Sequence, residues 1–269
     1  MPLTTGFPIP YVQGEHEARL RLFFRLSMDF KLNENSFRYA EQVIFLCFTN
    51  RSGSNYLSEL LSHVTSYKNL GEFFNYANFI QLFDNKEKNI EEYLFEILKH
   101  CKLENKIPVF KISWDQLFFL TKIGYIGKII INPTFIHLRR RDVLSQVASF
   151  YKARKTNEWV ELEDNKKNSE EEKITFENLY NYIDVDYIYH CNSMFDKYFN
   201  YFSFNPQRLI YEDLPFVNQT DFIKKIAQKL SGKEMKVDNI KVSIKKQSTA
   251  HDADNIQAIR NELKHRFFI

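Results

Sequence analysis

The chain has 269 residues, 44% of them hydrophobic and 26% charged, enough for one large α/β domain with a sizeable buried core or for two small ones. Its formal net charge of +3 is too small to make the whole surface a nucleic-acid or membrane binder, so an anion site has to be local. The isolated cysteines Cys47, Cys101 and Cys191 have neither CxxC nor Cys/His ligand spacing, which argues against a cysteine-based metal site and for buried thiols in a reducing compartment.

In chain order, residues 1–40 form an N-terminal extension expected to pack on the rest. The segment "ARLRLFFRLSMDF" is basic and amphipathic, yet Glu15 and Glu17 beside it speak against a transit peptide, and no charged-then-apolar secretory signal precedes it. No run of 18 apolar residues occurs, so no transmembrane helix is predicted and a cytoplasmic enzyme is the expectation. Short runs rich in Ile, Val, Phe and Leu predict strands at 43–49, 107–112, 134–138 and 207–211. Apolar residues at three- and four-residue spacing predict helices at 54–64, 90–101, 142–156, 175–200, 219–231 and 253–266. Polar residues throughout 161–173 predict an exposed loop, and no Pro/Gly-rich linker divides the chain. The alternation implies a single α/β domain over 1–269, a parallel sheet with helices on both faces.

Two strand ends are chemically unusual. After the first strand come Asn50-Arg51-Ser52-Gly53-Ser54-Asn55, where a helix begins. Ligands of open α/β sheets sit at such carboxyl ends, and the first helical turn offers unpartnered N–H groups and a positive dipole end. Ser52, Gly53 and Ser54 are small enough to let a phosphate approach, and Arg51 adds a charge. Read without other information, the same serines serve equally as a helix N-cap. The loop is not a Walker loop, having no Gly-Lys pair, and it is not GxGxxG. The second strand end is "HLRRRDVLSQVAS", where Arg139, Arg140 and Arg141 precede Asp142; taken singly, each arginine reads as solvated surface, with Asp142 as a helix N-cap. Ser149 follows Arg141 by eight residues, about two helical turns. Two anion-ready ends in one sheet suit a ligand with phosphoryl groups at two positions.

"FTNRSGSNYLSELL" resembles the 5′-phosphosulfate loop of sulfotransferases, and "RDVLSQVAS" resembles their 3′-phosphate motif of an arginine and a serine eight residues on. "VFKISWDQL" and "RLIYEDL" follow in that family's order. Within the superfamily, "NLGEFF", "RRD" with Gln146 and Ser149, and "ARKTNEW" are similar to the bacterial trehalose-type (Stf0) carbohydrate sulfotransferases. The resemblance spans roughly residues 43–250 and implies a P-loop-like sheet, the donor 3′-phosphoadenosine-5′-phosphosulfate (PAPS) without a metal, and a carbohydrate or glycolipid acceptor. It further implies donor contacts by Arg51, Ser52, Gly53, Ser54, Asn55, Arg141, Ser149 and Tyr211, with Trp114 framing the adenine and Lys245, Lys246 and Gln247 closing over the nucleotide. Arg51 and Lys111 would stabilise developing charge.

Ser113 stands where cytosolic sulfotransferases keep a catalytic histidine, so the resemblance implies Glu72 as the base, enclosed by Phe73, Phe74 and Tyr76, with His63 and His137 in reserve. His137 lies inside an apolar strand and also reads as a core histidine. A homodimer is implied through the region of "ARKTNEWV". A P-loop nucleotide kinase or phosphotransferase is disfavoured by the missing Gly-Lys-Ser/Thr loop. A catalytically silent nucleotide-binding module is the alternative from another class, separated by turnover of PAPS.

Overall fold

The computed structural model describes residues 38–75, 90–156, 184–215 and 217–242, together with 257 and 261. The expected N-terminal extension, the 161–173 loop, most of helix 253–266, Tyr76, and Lys245 to Gln247 lie outside the described residues.

Five parallel strands form one sheet in the order β2-β3-β1-β4-β5. They are β1 (Tyr39–Phe48), β2 (Tyr67–Asn69), β3 (Ile107–Ile112), β4 (Ile130–Arg139) and β5 (Gln207–Ile210). The helices are α1 (Ser54–Ser62), α2 (Ile90–Leu103), α3 (Trp114–Lys122), α4 (Val143–Thr156), α5 (Asp184–Tyr201) and α6 (Gln219–Ser231). The chain leaves β1 towards β2 and leaves β4 towards β5, so the crevice beyond the carboxyl ends of β1 and β4 is the topological switch point.

The central strand explains the arrangement. Val43 to Phe48 are all buried, because helices cover both sheet faces. Side chains alternate between those faces. Val43, Phe45 and Cys47 join Phe110, Ile112 and Phe135 in an aromatic-rich layer that α2, α3 and α5 complete. Ile44 and Leu46 join Val109, Ile136, Leu138 and Leu209 against α1 and α6. Each fully buried aliphatic or aromatic side chain contributes roughly 1.5–3 kcal/mol relative to exposure. This two-sided core holds the strand ends in fixed relation. The three cysteines are free and buried within it.

Several elements depart from the sequence expectation. The strand expected at 43–49 begins at Tyr39, and the one expected at 134–138 begins at Ile130, running through Pro133. β5 joins β4 only from Ile136 onward, so among the described residues one flank of β4 has no strand at Pro133, where proline's missing N–H is tolerated. β2, with three residues, and α3 were not anticipated. A capping box starts α3: Gln116 N–H donates to Ser113 Oγ, while Gln116 Oε1 accepts from Ser113 N–H. Asp142 caps α4 as expected, accepting from the N–H and hydroxyl of Ser145.

Candidate active site

Because the sheet is wholly parallel, all five strands end at one edge, and each delivers a polar residue there. β1 runs into the 49–55 loop. Ser52 N–H closes a tight turn onto the Thr49 carbonyl at 3.1 Å. Arg51 has φ 61, a left-handed conformation that costs a non-glycine residue roughly 1–2 kcal/mol. Such strain persists only where surrounding structure enforces it. The enforcement comes from α4. Gln146, fully buried, donates from Nε2 to Thr49 Oγ1 at 2.8 Å and to the Asn50 carbonyl at 2.7 Å. One helical turn further on, Ser149 Oγ accepts from Arg51 Nε at 2.8 Å. Arg140 Nη1 also reaches the Arg51 carbonyl, at 3.4 Å.

Gly53 precedes α1 with φ 86 and provides no side-chain cap. A Cβ built there would lie 2.1 Å from Cδ2 of Tyr211, so the glycine is required both by its backbone angle and by the tyrosine ring pressed on it. The Tyr211 ring in turn has the Arg140 guanidinium 5.1 Å from its centroid. Burial pushes the Tyr211 phenol up, although the Arg140 charge opposes this.

β3 contributes Lys111, on the same sheet face as Val109 and almost fully buried. Its Nζ donates to Asn55 Oδ1 in the first turn of α1, and to Glu72 Oε1 at 2.7 Å. Phe48 lies beneath, with its ring centroid 4.9 Å from Nζ. Burial draws the Lys111 ammonium below the ordinary lysine range, and the Glu72 charge and hydrogen bond work against that shift. β2 brings Glu72 to this point through a turn in which Gly71 has φ 57. Glu72 Oε2 accepts from Asn75 Nδ2 at 2.9 Å. Phe73 and Phe74 turn into the core against Phe110, so it is the Lys111 ammonium that faces the carboxylate.

The arginine run divides by strand parity. Arg139 faces α5 and pairs with Asp196. Arg140 is buried above Tyr211, with Nε 3.8 Å from Glu212 Oε1. The Arg141 side chain is 64% exposed, and its Nη2 donates to both carboxylate oxygens of Asp213 at 2.9 and 3.0 Å. Glu212 accepts from the N–H groups of Arg141 and Asp142 at 2.9 and 3.1 Å, placing a carboxylate at the start of α4.

The structure thus gathers Arg51 with Ser149, Gly53 with Tyr211, and Asn55 with Lys111 and Glu72, while the Arg141 guanidinium turns outward. Trp114 is buried in the aromatic layer with Phe118, Phe195 and Tyr198. Ser113 is the cap of α3. Neither reserve histidine adjoins Glu72. His63 ends α1, nine residues or about 14 Å along the helix from its first turn, and His137 is fully buried beneath α5. The contacts of Arg140, Glu212 and Gln146 with this edge are not legible in the sequence. Glu212 is some seventy residues from the backbone it caps, a pairing no local pattern reveals.

Residues 43–262 match the sequence model of the Stf0 sulphotransferase family. The chain belongs to that family. It is a sulfotransferase with a five-stranded parallel α/β sheet. No curated protein matches it. The loop chemistry suits an anionic group: the Ser52 hydroxyl is buried with no hydrogen-bond partner among the described residues, at the start of a helix without a side-chain cap. Among the described residues, no group of three or more His, Cys, Asp or Glu is placed to hold a metal, and no helix is long and apolar enough to cross a membrane.

Proposed function

We propose that this Stf0 sulphotransferase takes the sulfonyl group of PAPS and transfers it to a hydroxyl of a carbohydrate or glycolipid, with Glu72 as general base. The observation that carries the reading is the 2.7 Å Lys111–Glu72 pair, joined by Asn55 to the helix that opens at the phosphate loop. A base, a cation and an anion-binding loop thereby share one edge of the sheet.

PAPS supplies the transferable sulfonyl group and phosphates by which it is gripped. Arg51, Ser52, Gly53, Ser54 and Asn55 hold its 5′ end. Arg141 and Ser149 hold the 3′-phosphate through charge-assisted and hydroxyl hydrogen bonds, and Tyr211 frames the adenine. Glu72 removes the proton of the acceptor hydroxyl as that oxygen bonds to sulfur, a contribution of roughly 10²–10⁴-fold. Lys111 and Arg51 neutralise charge on the departing phosphate oxygen. We extend the reading to a homodimer, on the family resemblance, and to the cytoplasm, on free buried cysteines that suit a reducing compartment. Light scattering should then exceed the monomer mass of 32.3 kDa at micromolar concentration.

The experiment is transfer from sulfur-labelled PAPS to a sugar panel that includes trehalose, with EDTA present. Labelled sugar together with 3′,5′-adenosine bisphosphate (PAP) is the expected result. Calorimetry should show PAP binding that AMP cannot match. PAP binding without transfer to any sugar would leave a silent nucleotide-binding module. Equal affinity for AMP and PAP would remove the 3′-phosphate assignment.

A further inference from the structure

We propose that Asn69 is a positioning residue for Glu72, setting through Ser58 where the base stands relative to the phosphate loop. The inference rests on the sulfonyl-transfer reading above.

Asn69 is the last residue of β2, and its side chain makes three hydrogen bonds. Its Oδ1 accepts from Gly71 N–H at 3.1 Å and from the Ser58 hydroxyl at 3.0 Å, and its Nδ2 donates to the Ser58 carbonyl at 3.0 Å. The bond to Gly71 alone would be an ordinary asparagine turn. The two bonds to Ser58 are different, because Ser58 is a buried residue of α1. They tie a short edge strand to the helix that begins at the phosphate loop.

The partners of that tie give it a purpose. Leu70 N–H donates to the Val109 carbonyl and Lys111 N–H to the Gly71 carbonyl, both at 2.8 Å, so β3 holds the backbone on each side of the turn. Glu72 follows immediately and reaches Lys111. Lys111 in turn is gripped by Asn55, which shares a face of α1 with Ser58 three residues on. One stripe of α1 therefore holds both members of the Lys111–Glu72 pair, the lysine through Asn55 and the glutamate through Ser58 and Asn69. Without the Asn69 side chain, the left-handed turn at Gly71 loses its N–H partner and its link to α1. The turn that carries Glu72 then loses this direct tie to α1. Displacement of a catalytic group by about 1 Å can cost up to 10²-fold in rate.

The test uses the full-length chain and Asn69→Ala. Trehalose-dependent release of PAP from PAPS should show kcat lowered about tenfold or more, with calorimetric PAP affinity within about twofold of wild type. Independently of turnover, NMR titration of the Lys111 side-chain nitrogen should move to lower pH, because Glu72 is what holds that ammonium up. A global loss of stability would not move this titration in folded protein. Ser58→Ala, which removes one of the three bonds, should shift both readouts in the same direction by less, and decides the matter if Asn69→Ala does not fold. An unchanged Lys111 titration overturns the inference, as does a moved titration with unchanged kcat. A wild-type enzyme that transfers nothing to trehalose or any other sugar would instead count against the proposed function, and the Lys111 titration would still report whether Asn69 holds Glu72.

Discussion

On the proposed reading, Glu72 and the three arginines are where single side chains decide the chemistry. Both carboxylate oxygens of Glu72 are engaged, one by Lys111 and one by Asn75. Glu72→Gln keeps the shape and removes the basicity. It should lower turnover roughly 10²-fold or more while leaving PAP affinity nearly unchanged; normal turnover would make Glu72 structural. The arginines separate by burial. Arg140→Ala removes a buried guanidinium from between Tyr211 and the loop, and should lower the melting temperature, since a buried polar network is broken. The Arg141–Asp213 pair is exposed, and such pairs contribute only about 0–1 kcal/mol. Arg141→Ala should therefore leave the melting temperature alone while weakening PAP binding at least about tenfold, the cost of a lost hydrogen bond to a charged group. If both variants lost affinity equally, the 3′-phosphate would not be read by Arg141 in particular.

At the level of elements, the phosphate loop is defined by what presses on it. The contrast between Gly53 and Gly71 tests this. Both have positive φ, but a Cβ at Gly71 meets nothing within 4 Å, whereas one at Gly53 meets the Tyr211 ring. Gly71→Ala should cost about 1–2 kcal/mol in thermal unfolding, the price of the left-handed backbone alone. Gly53→Ala adds a steric clash that only movement of Tyr211 relieves, so it should cost more and also abolish PAP binding. Equal losses would mean the tyrosine yields freely. This dependence on packing also marks how far the sequence could be read. The β1 loop, the strands from 107 and 207, and α1, α4 and α6 were visible because apolar periodicity and helix-start residues are local signals. α6 has the bounds expected, Gln219–Ser231. The capping box Ser113-x-x-Gln116 is equally local, but a serine and a glutamine three residues apart mark a helix start only once the strand before them is known to end at Ile112. β2 was beyond local reading. Three residues carry no period, and its existence depends on pairing with β3, some forty residues later. For the same reason the sequence marked Arg51, Lys111, Glu72 and Ser149 without showing that Ser149 meets Arg51 or that Lys111 meets Glu72.

Across the whole molecule, the two-layered core that fixes the strand ends also encloses a titratable group, and stability should register it. His137 is fully buried on β4 against Phe195 and Phe199, with ring centroids 5.0 and 5.6 Å away. Burial, reinforced by the Arg139 charge, holds its pKa down at about 4, and the nearby Asp196 opposes this only in part. The folded chain thus refuses a proton that the unfolded chain accepts near pH 6.5. Stability from this group is fully present above pH 6.5 and is lost as the pH falls to about 4, a change on the order of 3 kcal/mol. Glu41 and Glu104 are held below the ordinary carboxylate value by Lys102 and Lys68, and their contributions are lost only below about pH 4.5. The interval between pH 4.5 and 6.5 therefore isolates the histidine from these two carboxylates. Urea unfolding of wild type should show stability falling with decreasing pH across that interval, and His137→Gln should flatten the slope even if it lowers stability at pH 7. A variant with the wild-type slope would show that the buried imidazole takes up its proton within the folded protein, and that the core around β4 opens to admit it.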